Sequence, residues 1–579
     1  MDYSIPSHNE GRVMTKERIY LYDTTLRDGV QTLGVLFGLE DKIRLTKELD
    51  DIGIDYIEGG FTGANETDRQ YFENLPKTRD AQIAAFGMTK RADHSAENDI
   101  NLASLVNSNT DTVCIVGKTH VFHVQKALGI TLEKNFENIS QSIKHLVAKG
   151  KEVIFDAEHF FDGYFSDEKY ALECVKEAYM AGARWVVLCD TNGGTLPKDI
   201  GTATKAVIEY GIPGDRLGIH THNDTENAVA GTLAAIDAGA RQVQGTINGI
   251  GERCGNANLI TIIGNLRLKE PYRSLYDTSV SLEKLKKLTQ LSRVLDDILD
   301  RIPSKNAAYV GTSAFAHKAG LHGSGVLRDP STYEHVDPED IGNKRVIPLS
   351  NQAGRSHVRS WLTELGVDLK SIDDDTLQRI VDEIKLREDK GYTYDVAPES
   401  CQLLVKRLLG TLSNYFTVQR FRVNVESHHL TDNISKSESE AVVVIKIGNE
   451  RKISVSEGLT DNLDSGPVHA LSKALQRDLG PYQKYISDMK LVDFKVRIRG
   501  SGTSAVTRVV IECTNSEGLR WATAGVSPNI IEASFEALVE AIIWKLDYDC
   551  APTAEQLVGK SIHFPEADSR KEDPVLSLA

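Results

Sequence analysis

The sequence predicts an α/β protein: a closed (β/α)8 TIM barrel, then helical connector subdomains, then a C-terminal α+β domain with an internal repeat. Two observations predict the barrel. Short β-branched runs recur through the first half of the chain, and each is followed by a longer segment with helical spacing. Eight such units fit in about 250 residues, the usual size of this fold.

The predicted strands cover residues 19–22, 56–58, 83–86, 112–116, 153–155, 185–189, 217–220 and 242–247. Several are almost continuously apolar, which is typical of parallel strands buried on both faces. In such a barrel the functional site lies at the carboxyl ends of the strands. An open doubly wound sheet is the alternative, and it is disfavoured because no G-x-G-x-x-G follows the first strand.

The second half of the chain changes its pattern twice. Helical segments at 282–302 and 373–387 surround a polar stretch, and we interpret residues 281–417 as helical connector subdomains. From residue 418, three strands precede a helix and the same order then repeats, which predicts a duplicated α+β domain over residues 418–550. The barrel is assigned to residues 19–280, and residues 1–18 and 551–579 are predicted to be tails.

Composition disfavours several classes of function. The chain has 579 residues and a formal charge of -16 from 67 basic and 83 acidic residues, which opposes binding to nucleic acid or anionic lipid. No segment has the apolar length of a membrane span, and the cysteines show no C-x-x-C pair. We therefore expect a cytoplasmic protein with no nucleic-acid partner and no membrane partner.

A histidine pair, His220 and His222, ends the seventh predicted strand. Two histidines at i and i+2 on a strand point to one face, where both imidazoles can bind the same metal ion. The end of the first strand adds two acids and an arginine: Asp23, Arg27 and Asp28. One carboxylate and two imidazoles form a facial set suited to a divalent ion that also holds substrate. The alternative is a pair of polar loop histidines, with the acids acting as helix N-caps.

Four motifs together resemble the DRE-TIM metallolyase superfamily, and within it the 2-isopropylmalate, homocitrate and citramalate synthases. The motifs are Thr25-Leu26-Arg27-Asp28-Gly29, His220-Thr221-His222-Asn223-Asp224, Gly249-Ile250-Gly251-Glu252-Arg253-Cys254-Gly255-Asn256 and Gly320-Leu321-His322-Gly323. The amino-acid sequence of residues 56–60 and 252–259 looks most similar to that of the long form of the citramalate synthases. The likeness covers nearly the whole chain, and its C-terminal part is similar to that family's regulatory domain.

The resemblance implies a set of ligands for a divalent metal (Mn, Mg, Zn or Co): Asp28, His220, His222 and, as an additional neighbouring ligand, Asn256. It also matches Arg27 to an arginine that polarises the substrate carbonyl, and Glu58 to the glutamate that holds this arginine. The planar guanidinium can contact a carbonyl oxygen and a carboxylate together. A plain ion pair at the barrel rim is the alternative for Arg27 and Glu58.

Further residues match substrate contacts of the family. Glu158 ends the fifth strand and Thr191 ends the sixth, and the resemblance implies that both contact the 2-oxo acid. His322 matches a histidine that the connector brings over the barrel, usually from the partner subunit, and Tyr333 falls where a tyrosine stands near it. Either His322 or Glu158 can serve as the base that takes a proton from the acetyl methyl group. Some members carry an Asp two residues after this histidine, where this chain has Ser324.

The implied activity is that of an acyltransferase: a Claisen condensation of acetyl-CoA with pyruvate and water that gives citramalate and CoA, for isoleucine biosynthesis. A 2-oxo acid can chelate a divalent ion through its carboxylate and keto oxygens, which suits these residues. The alternatives are 2-isopropylmalate or homocitrate synthesis, a lyase that runs the reverse cleavage, and a non-catalytic amino-acid sensor. The resemblance also implies a homodimer with an active site completed across subunits, and an isoleucine effector on the C-terminal domain.

Overall fold

The computed structural model describes residues 16–63, 65–350, 352–364, 367, 372–431, 434–459, 466–477, 479–500 and 505–557. The chain forms two compact units, one made of Met1–Phe315 and Glu334–Arg345, the other of Ala316–Tyr333 and Val346–Ala579. The two predicted tails, 1–18 and 551–579, lie mostly outside the described residues. Within the described residues, no helix has the length and apolar character needed to cross a membrane.

The first unit is a closed barrel of parallel strands. In chain order they are β1 (Tyr20–Asp23), β2 (Tyr56–Phe61), β3 (Gln82–Met88), β4 (Thr112–Lys118), β5 (Glu152–Glu158), β6 (Trp185–Asp190), β7 (Leu217–Thr221) and β8 (Gln242–Gly245). Each strand pairs with the next, and β8 closes the ring by pairing Gln242 with Tyr20 of β1. Every predicted strand overlaps one of these, so the predicted (β/α)8 barrel is confirmed.

The strands form because their side chains are buried on both faces. All residues of β6 and of β8 are buried. In the lumen, Tyr22, Tyr56, Ile154 and Trp185 belong to a core of their own, separate from the core between strands and helices. The indole of Trp185 donates a hydrogen bond to the hydroxyl of Tyr56 at 3.3 Å. The side chains that fill the lumen pack directly beneath the polar residues at the strand ends.

Helices surround the barrel in alternation with its strands. They are α1 (Leu39–Ile52), α2 (Glu66–Glu73), α3 (Ile100–Val106), α4 (Leu132–Ala148), α5 (Phe160–Ser166), α6 (Glu168–Met180), α7 (Pro197–Glu209), α8 (Ala228–Ala238) and α9 (Leu259–Leu268). Capping side chains start several of them: Thr131 accepts a hydrogen bond from the backbone of Lys134 at the start of α4. Shorter helical turns occupy Val121–His123, Tyr272–Leu275 and Leu282–Leu285.

The two ends of the barrel segment meet at one place. Glu17–Arg18 and Tyr276–Asp277 form a two-residue parallel ladder, and the amide of Ile19 donates to the carbonyl of Asp277 at 2.9 Å. Helix α10 (Leu288–Ile298) follows and packs on α1. The ladder therefore fixes the entry into β1 against the segment that leaves the last barrel helix.

The second unit combines connector helices with a duplicated sheet domain. Its helices are α11 (Gly320–Arg328), α12 (Arg355–Glu364), α13 (Asp374–Lys390) and α14 (Pro398–Leu408). Then come β9 (Thr417–Thr431), β10 (Ile434–Ile447), β11 (Glu450–Leu459), α15 (Pro467–Arg477), a turn at Gln483–Ile486, β12 (Lys490–Arg499), β13 (Val506–Thr514), β14 (Arg520–Ser527), α16 (Ile530–Tyr548) and a turn at Ala554–Leu557. The predicted internal repeat is confirmed as two antiparallel sheets, β9-β10-β11 and β12-β13-β14, each followed by a helix. The exact domain boundaries stay predictions.

Each sheet of the repeat buries one face under its helix. On β14, the Trp521 indole donates to the carbonyl of Ala541 at 3.1 Å, and the Thr523 hydroxyl donates to that of Ala537 at 2.7 Å. The contact between sheet and helix is close enough to require a glycine, because a Cβ on Gly525 would lie 2.0 Å from the carbonyl oxygen of Ala533. The repeat is thus a two-layer α+β packing.

Candidate active site

Buried polar side chains collect at the carboxyl ends of the barrel strands. Each of them is at most 4% exposed: Asp23, Asp28, Glu58, Asp156, His220 and Asn256. Removing an ionised group from water costs several kcal/mol, so a charge that is buried here needs a hydrogen-bond or ion-pair partner. The contacts of these residues therefore define the chemistry of the barrel mouth.

Arg27 and Glu58 form a buried ion pair. The Nε of Arg27 donates to Glu58 Oε2 at 2.5 Å, and the hydroxyl of Tyr22 donates to Glu58 Oε1 at 2.8 Å. The guanidinium also lies over the ring of Phe86, 4.0 Å from its centroid. Burial raises the pKa of Glu58, although the charge of Arg27 opposes that rise. Glu58 and Phe86 thus fix the plane of the guanidinium at the barrel mouth, and Tyr22 holds the carboxylate of Glu58.

Asp28 lies between Arg27 and the first histidine. Its Oδ1 accepts a hydrogen bond from Arg27, and its Oδ2 lies 3.3 Å from His220 Nε2. The amide nitrogen of Asn256 donates to Asp28 Oδ2 at 3.0 Å and lies 3.1 Å from His220 Nε2. Burial opposes ionisation of Asp28, but Arg27 and the two histidines outweigh it and lower the pKa of this carboxyl. Asp28 is therefore a carboxylate beside an imidazole nitrogen, as a metal ligand must be.

His222 completes this cluster. Its ring centroid lies 5.3 Å from that of His220, and burial together with the neighbouring His220 lowers its pKa to about 4. The imidazole is therefore neutral at pH 7 and keeps a lone pair for a ligand. Two buried atoms at the cluster, His222 Nδ1 and Asn256 Oδ1, have no hydrogen-bond partner among the described residues. Buried polar atoms rarely stay unpaired without a ligand.

Gly251 makes room for the Asn256 amide. A Cβ at Gly251 would lie 2.0 Å from Asn256 Oδ1, so any larger residue would displace the amide. The cluster offers one carboxylate, two imidazoles and an amide, a donor set that suits a borderline divalent ion. The sequence-predicted ligands Asp28, His220, His222 and Asn256 are thus brought together, and they fit such an ion.

Sequence reasoning missed two residues behind the ligands, Gln244 and Asp156. His220 Nδ1 lies 2.8 Å from Gln244 Oε1, and Gln244 Nε2 donates to Asp156 Oδ1 at 3.0 Å. Because the Gln244 nitrogen donates to Asp156, the amide oxygen is the atom that faces His220, and it accepts a hydrogen bond from Nδ1 of the imidazole. The Nε2 lone pair is left facing Asp28. The available signal for Gln244 was an amide side chain within a predicted barrel strand, but Gln242 shares it and no motif contains either residue.

Glu58, Asp156 and the thiol of Cys114 form a second group of ligand-type atoms inside the barrel. Burial raises the pKa of both carboxyls; the charge of Asp156 adds to the rise at Glu58, and the charge of Asp28 adds to the rise at Asp156. Burial likewise raises the pKa of the Cys114 thiol. Glu58 and Asp156 already accept hydrogen bonds from Arg27, Tyr22 and Gln244. At the Asp28 cluster, by contrast, His222 Nδ1 and Asn256 Oδ1 have no partner among the described residues, so we assign the metal-type site to that cluster.

The sequence-predicted substrate residues lie at the ends of β5 and β6. The carboxylate of Glu158 forms a salt bridge with Lys118, and the side chain of Glu158 is 25% exposed. The hydroxyl oxygen of Thr191 accepts a hydrogen bond from the amide of His159 at 2.8 Å, which leaves its hydrogen free to be donated. His159 takes a left-handed backbone conformation, with φ of 59°. Such strain is common at functional loops.

His322 and Tyr333 belong to the second unit. Their rings stack with centroids 4.2 Å apart and an interplanar angle of 25°. His322 lies on α11, and Ser324, at the position where some relatives carry an acid, is on the same helix. The predicted neighbourhood of the histidine and the tyrosine is therefore present, and the roles of both residues stay predictions.

Comparison with known families agrees with this architecture. The HMGL-like family model matches residues 18–292, the homocitrate synthase post-HMGL domain-like model matches 309–392, and the LeuA allosteric (dimerisation) domain model matches 395–545. A barrel with this polar mouth, followed by these two modules, defines the class of carbon-carbon bond-forming synthases that the motifs resembled.

Individual relatives narrow the class. The (R)-citramalate synthase of Aquifex aeolicus is 44% identical over 537 residues, which is 92% of this chain and 98% of the relative. That of Geobacter sulfurreducens is 44% identical over 532 residues, 91% of this chain and 97% of the relative. The 2-isopropylmalate synthase of Methanocaldococcus jannaschii is 31% identical over 529 residues, 91% of this chain and 94% of the relative. The chain belongs to the (R)-citramalate synthase family, and the resemblance predicted from its motifs is confirmed.

The Gln244 contact yields a test of ligand positioning. Gln244→Leu removes the acceptor that holds the proton on His220 Nδ1, so we expect the affinity for Mn²⁺ to fall about 10- to 100-fold, the usual cost of losing such a partner. The measurement is calorimetric titration of the metal-stripped full-length protein. Gln242→Leu is the matched control, because the Gln242 amide lies two residues earlier on the same strand and has no partner among the described residues. Equal Mn²⁺ affinity in the two variants would contradict the assignment.

Proposed function

We propose that this chain is an acyltransferase that condenses acetyl-CoA with pyruvate and water to give citramalate and free CoA. The observation that carries the proposal is the buried cluster of Arg27, Asp28, His220 and Asn256 at the barrel mouth, in a chain whose relatives share most of its length. Such a cluster suits a substrate that presents a keto oxygen beside a carboxylate. We infer a place for this activity in isoleucine biosynthesis.

We further propose that Asp28, His220, His222 and Asn256 hold a divalent metal, one of Mn, Mg, Zn or Co. When bound, such an ion supplies Lewis acidity toward the keto and carboxylate oxygens of a 2-oxo acid. The support is the donor set itself: a carboxylate with a lowered pKa, a neutral imidazole with a pKa of about 4, and an unpaired amide oxygen.

The protein groups divide the chemistry among them. A base, Glu158 or His322, removes a proton from the acetyl methyl group, and the resulting enolate carbon attacks C2 of pyruvate. The keto double bond opens and its electrons move to oxygen, where the guanidinium of Arg27 stabilises the developing negative charge. Thr191 donates its hydroxyl hydrogen to the substrate carboxylate. The alkoxide then takes up a proton, which balances the one that the base removed. Water cleaves the thioester: its oxygen bonds the acyl carbon, and the sulfur leaves as the CoA thiol.

Arg27 is suited to this task by its fixed geometry. Its Nε and Nη1 are engaged by Glu58 and Asp28, and Phe86 supports the plane, so the remaining nitrogen is held in one position. A preorganised donor needs no rearrangement as charge develops, which is the main source of such stabilisation. Glu58 acts through Arg27 and is a positioning residue.

The alternatives differ in substrate or in class. 2-Isopropylmalate and homocitrate synthesis use the same chemistry on larger oxo acids, and the relatives that carry the citramalate name are more similar to this chain than the 2-isopropylmalate synthase is. A non-catalytic sensor would have no chemical need for a lowered carboxyl pKa beside two histidines. The pyruvate reaction is therefore the proposal.

The second unit suggests regulation. It contains the segment that matches the LeuA allosteric (dimerisation) domain, and we infer from it a homodimer in which one copy completes the active site of the other. We also infer isoleucine as the effector, since this amino acid is the end product of a citramalate route. An effector acts only if it binds one arrangement of the dimer better than another.

The activity itself is tested by CoA release from acetyl-CoA with pyruvate, 2-oxoisovalerate and 2-oxoglutarate offered in parallel. We expect the highest kcat/KM with pyruvate, because a pocket shaped for a methyl group rejects the larger substituents by their bulk. A preference for 2-oxoisovalerate or 2-oxoglutarate would replace the proposal with one of the alternative synthases. No CoA release with any of the three would favour the sensor.

Arg27→Lys keeps the positive charge but removes the planar guanidinium, which can donate to Glu58, Asp28 and the substrate at the same time. We expect kcat to fall about 100-fold or more, the usual cost of losing one oxyanion donor. Steady-state kinetics with pyruvate measure this. Arg184→Lys serves as the control, because Arg184 likewise lies over an aromatic ring, 3.9 Å from the Trp185 centroid, but precedes the start of β6 at the opposite end of the barrel. A rise in the KM for pyruvate with kcat intact would indicate ground-state binding only.

Regulation is tested on the full-length enzyme by adding isoleucine, leucine or valine at saturating substrate and near KM. We expect isoleucine alone to reduce the rate, through a changed KM or kcat, because it binds one dimer arrangement preferentially. Indifference to all three amino acids would leave the C-terminal domain with an architectural role in dimerisation.

A further inference from the structure

A pocket of about 490 Å³ in the second unit has a wall of arginines. Arg497 and Arg499 are two residues apart on β12, so their side chains share one face of the sheet. Arg508 of β13 lies directly opposite Arg497 in the antiparallel register. Three guanidiniums therefore project from the same part of one sheet face.

This arrangement carries an unfavourable charge. Like charges directly opposite on neighbouring strands destabilise a sheet. Elsewhere in the same domain the strands pair their arginines with acids: Arg422 lies 3.4 Å from Glu440, and Arg520 lies 3.4 Å from Glu512. Within the described part of the chain, none of the three pocket arginines has a salt bridge to a carboxylate.

The hydrogen bonds of the pocket arginines are few and long. Arg499 donates to the backbone carbonyl of Glu388 at 3.4 Å, and Arg508 donates to that of Gly391 at 3.4 Å. Burial, with the charges of Arg499 and Arg497, lowers the pKa of Arg508. Most of the guanidinium N–H groups are therefore available to a ligand.

The other residues that line the pocket do not neutralise the positive charge of the three arginines. Lys318 adds a fourth basic group, while the acidic lining residues are Glu388 and Asp389. The ammonium of Lys318 also bonds Asp395 at 2.7 Å. Arginine forks match the oxygens of phosphate, and a phosphate group offers three such oxygens where a carboxylate offers two.

We propose that this pocket binds a phosphate group, carried either by the free ion or by a nucleotide. Such an occupant contacts β12, β13 and the turn after α13 together. It also contacts Lys318, which lies four residues before His322 in the chain. The site joins the duplicated sheet domain to the connector segment of the same unit, so its occupancy steadies the segment that carries His322.

The test is calorimetric titration of the full-length protein with inorganic phosphate and, separately, with adenosine 3′,5′-bisphosphate. We expect saturable binding, weakened about tenfold or more in Arg497→Gln and in Arg508→Gln, the loss expected for one charge-assisted hydrogen bond. Equal loss for both probes identifies phosphate itself as the ligand, and loss for the nucleotide alone identifies the nucleotide as its source.

Arg520→Gln is the matched control, since it removes an arginine of the same domain that already has a glutamate partner. It should bind both probes as the wild type does. Thermal melting of the exposed Arg497→Gln variant checks that weakened binding does not come from unfolding. Wild-type protein that takes up neither probe saturably, or binding that is unchanged in both pocket variants, overturns the proposal. Adenosine 3′,5′-bisphosphate is also the nucleotide part of CoA, so binding that Arg497→Gln and Arg508→Gln leave unchanged reports the acetyl-CoA site of the proposed condensation, and only the part lost in both variants reports this pocket.

Discussion

The carboxylate of Glu58 is fully buried, and the arrangement of the barrel mouth follows from the need to compensate its charge. Removing one partner of a buried ion pair leaves an unpaired charge and costs about 3–5 kcal/mol. Arg27 and Tyr22, at the end of β1, both donate hydrogen bonds to this carboxylate. The guanidinium held there also donates to Asp28 and stabilises its negative charge. The buried charge of Glu58 thus fixes the position of Arg27, and Arg27 in turn fixes the position of Asp28.

A second chain of contacts, on the other side of the cluster, consists of hydrogen bonds through an amide rather than of ion pairs. Hydrogen bonds join Asp156 to Gln244 and Gln244 to His220, across three strands. The two chains of contacts converge on Asn256, whose amide nitrogen contacts both Asp28 and His220. Partners on both sides restrict the ligands to one geometry before any ion arrives, which is how a site gains affinity by preorganisation.

The sequence was sufficient for the barrel and for the residues that carry motifs. Strand-helix alternation placed His220 and Arg27 at strand ends, and parallel strands in a closed barrel must bring those ends together. Gln244 and Asp156 could not be found in this way, because their importance depends on the register between strands. Strands that are buried on both faces lack the apolar alternation that would set this register. The proximity of His322 and Tyr333 was predicted from resemblance alone, since no local pattern relates residues eleven positions apart across a turn, and the stacking of their rings was not predicted.

The short ladder between Glu17–Arg18 and Tyr276–Asp277 has a topological consequence. Because the two ends of the barrel segment are hydrogen-bonded neighbours, a short linker could join them, and new termini could open at an exposed loop without breaking any strand pairing. Circular permutation is tolerated where ends are close and loops are exposed. The HMGL-like match runs from residue 18 to residue 292 and so includes the second strand of this ladder, Tyr276–Asp277.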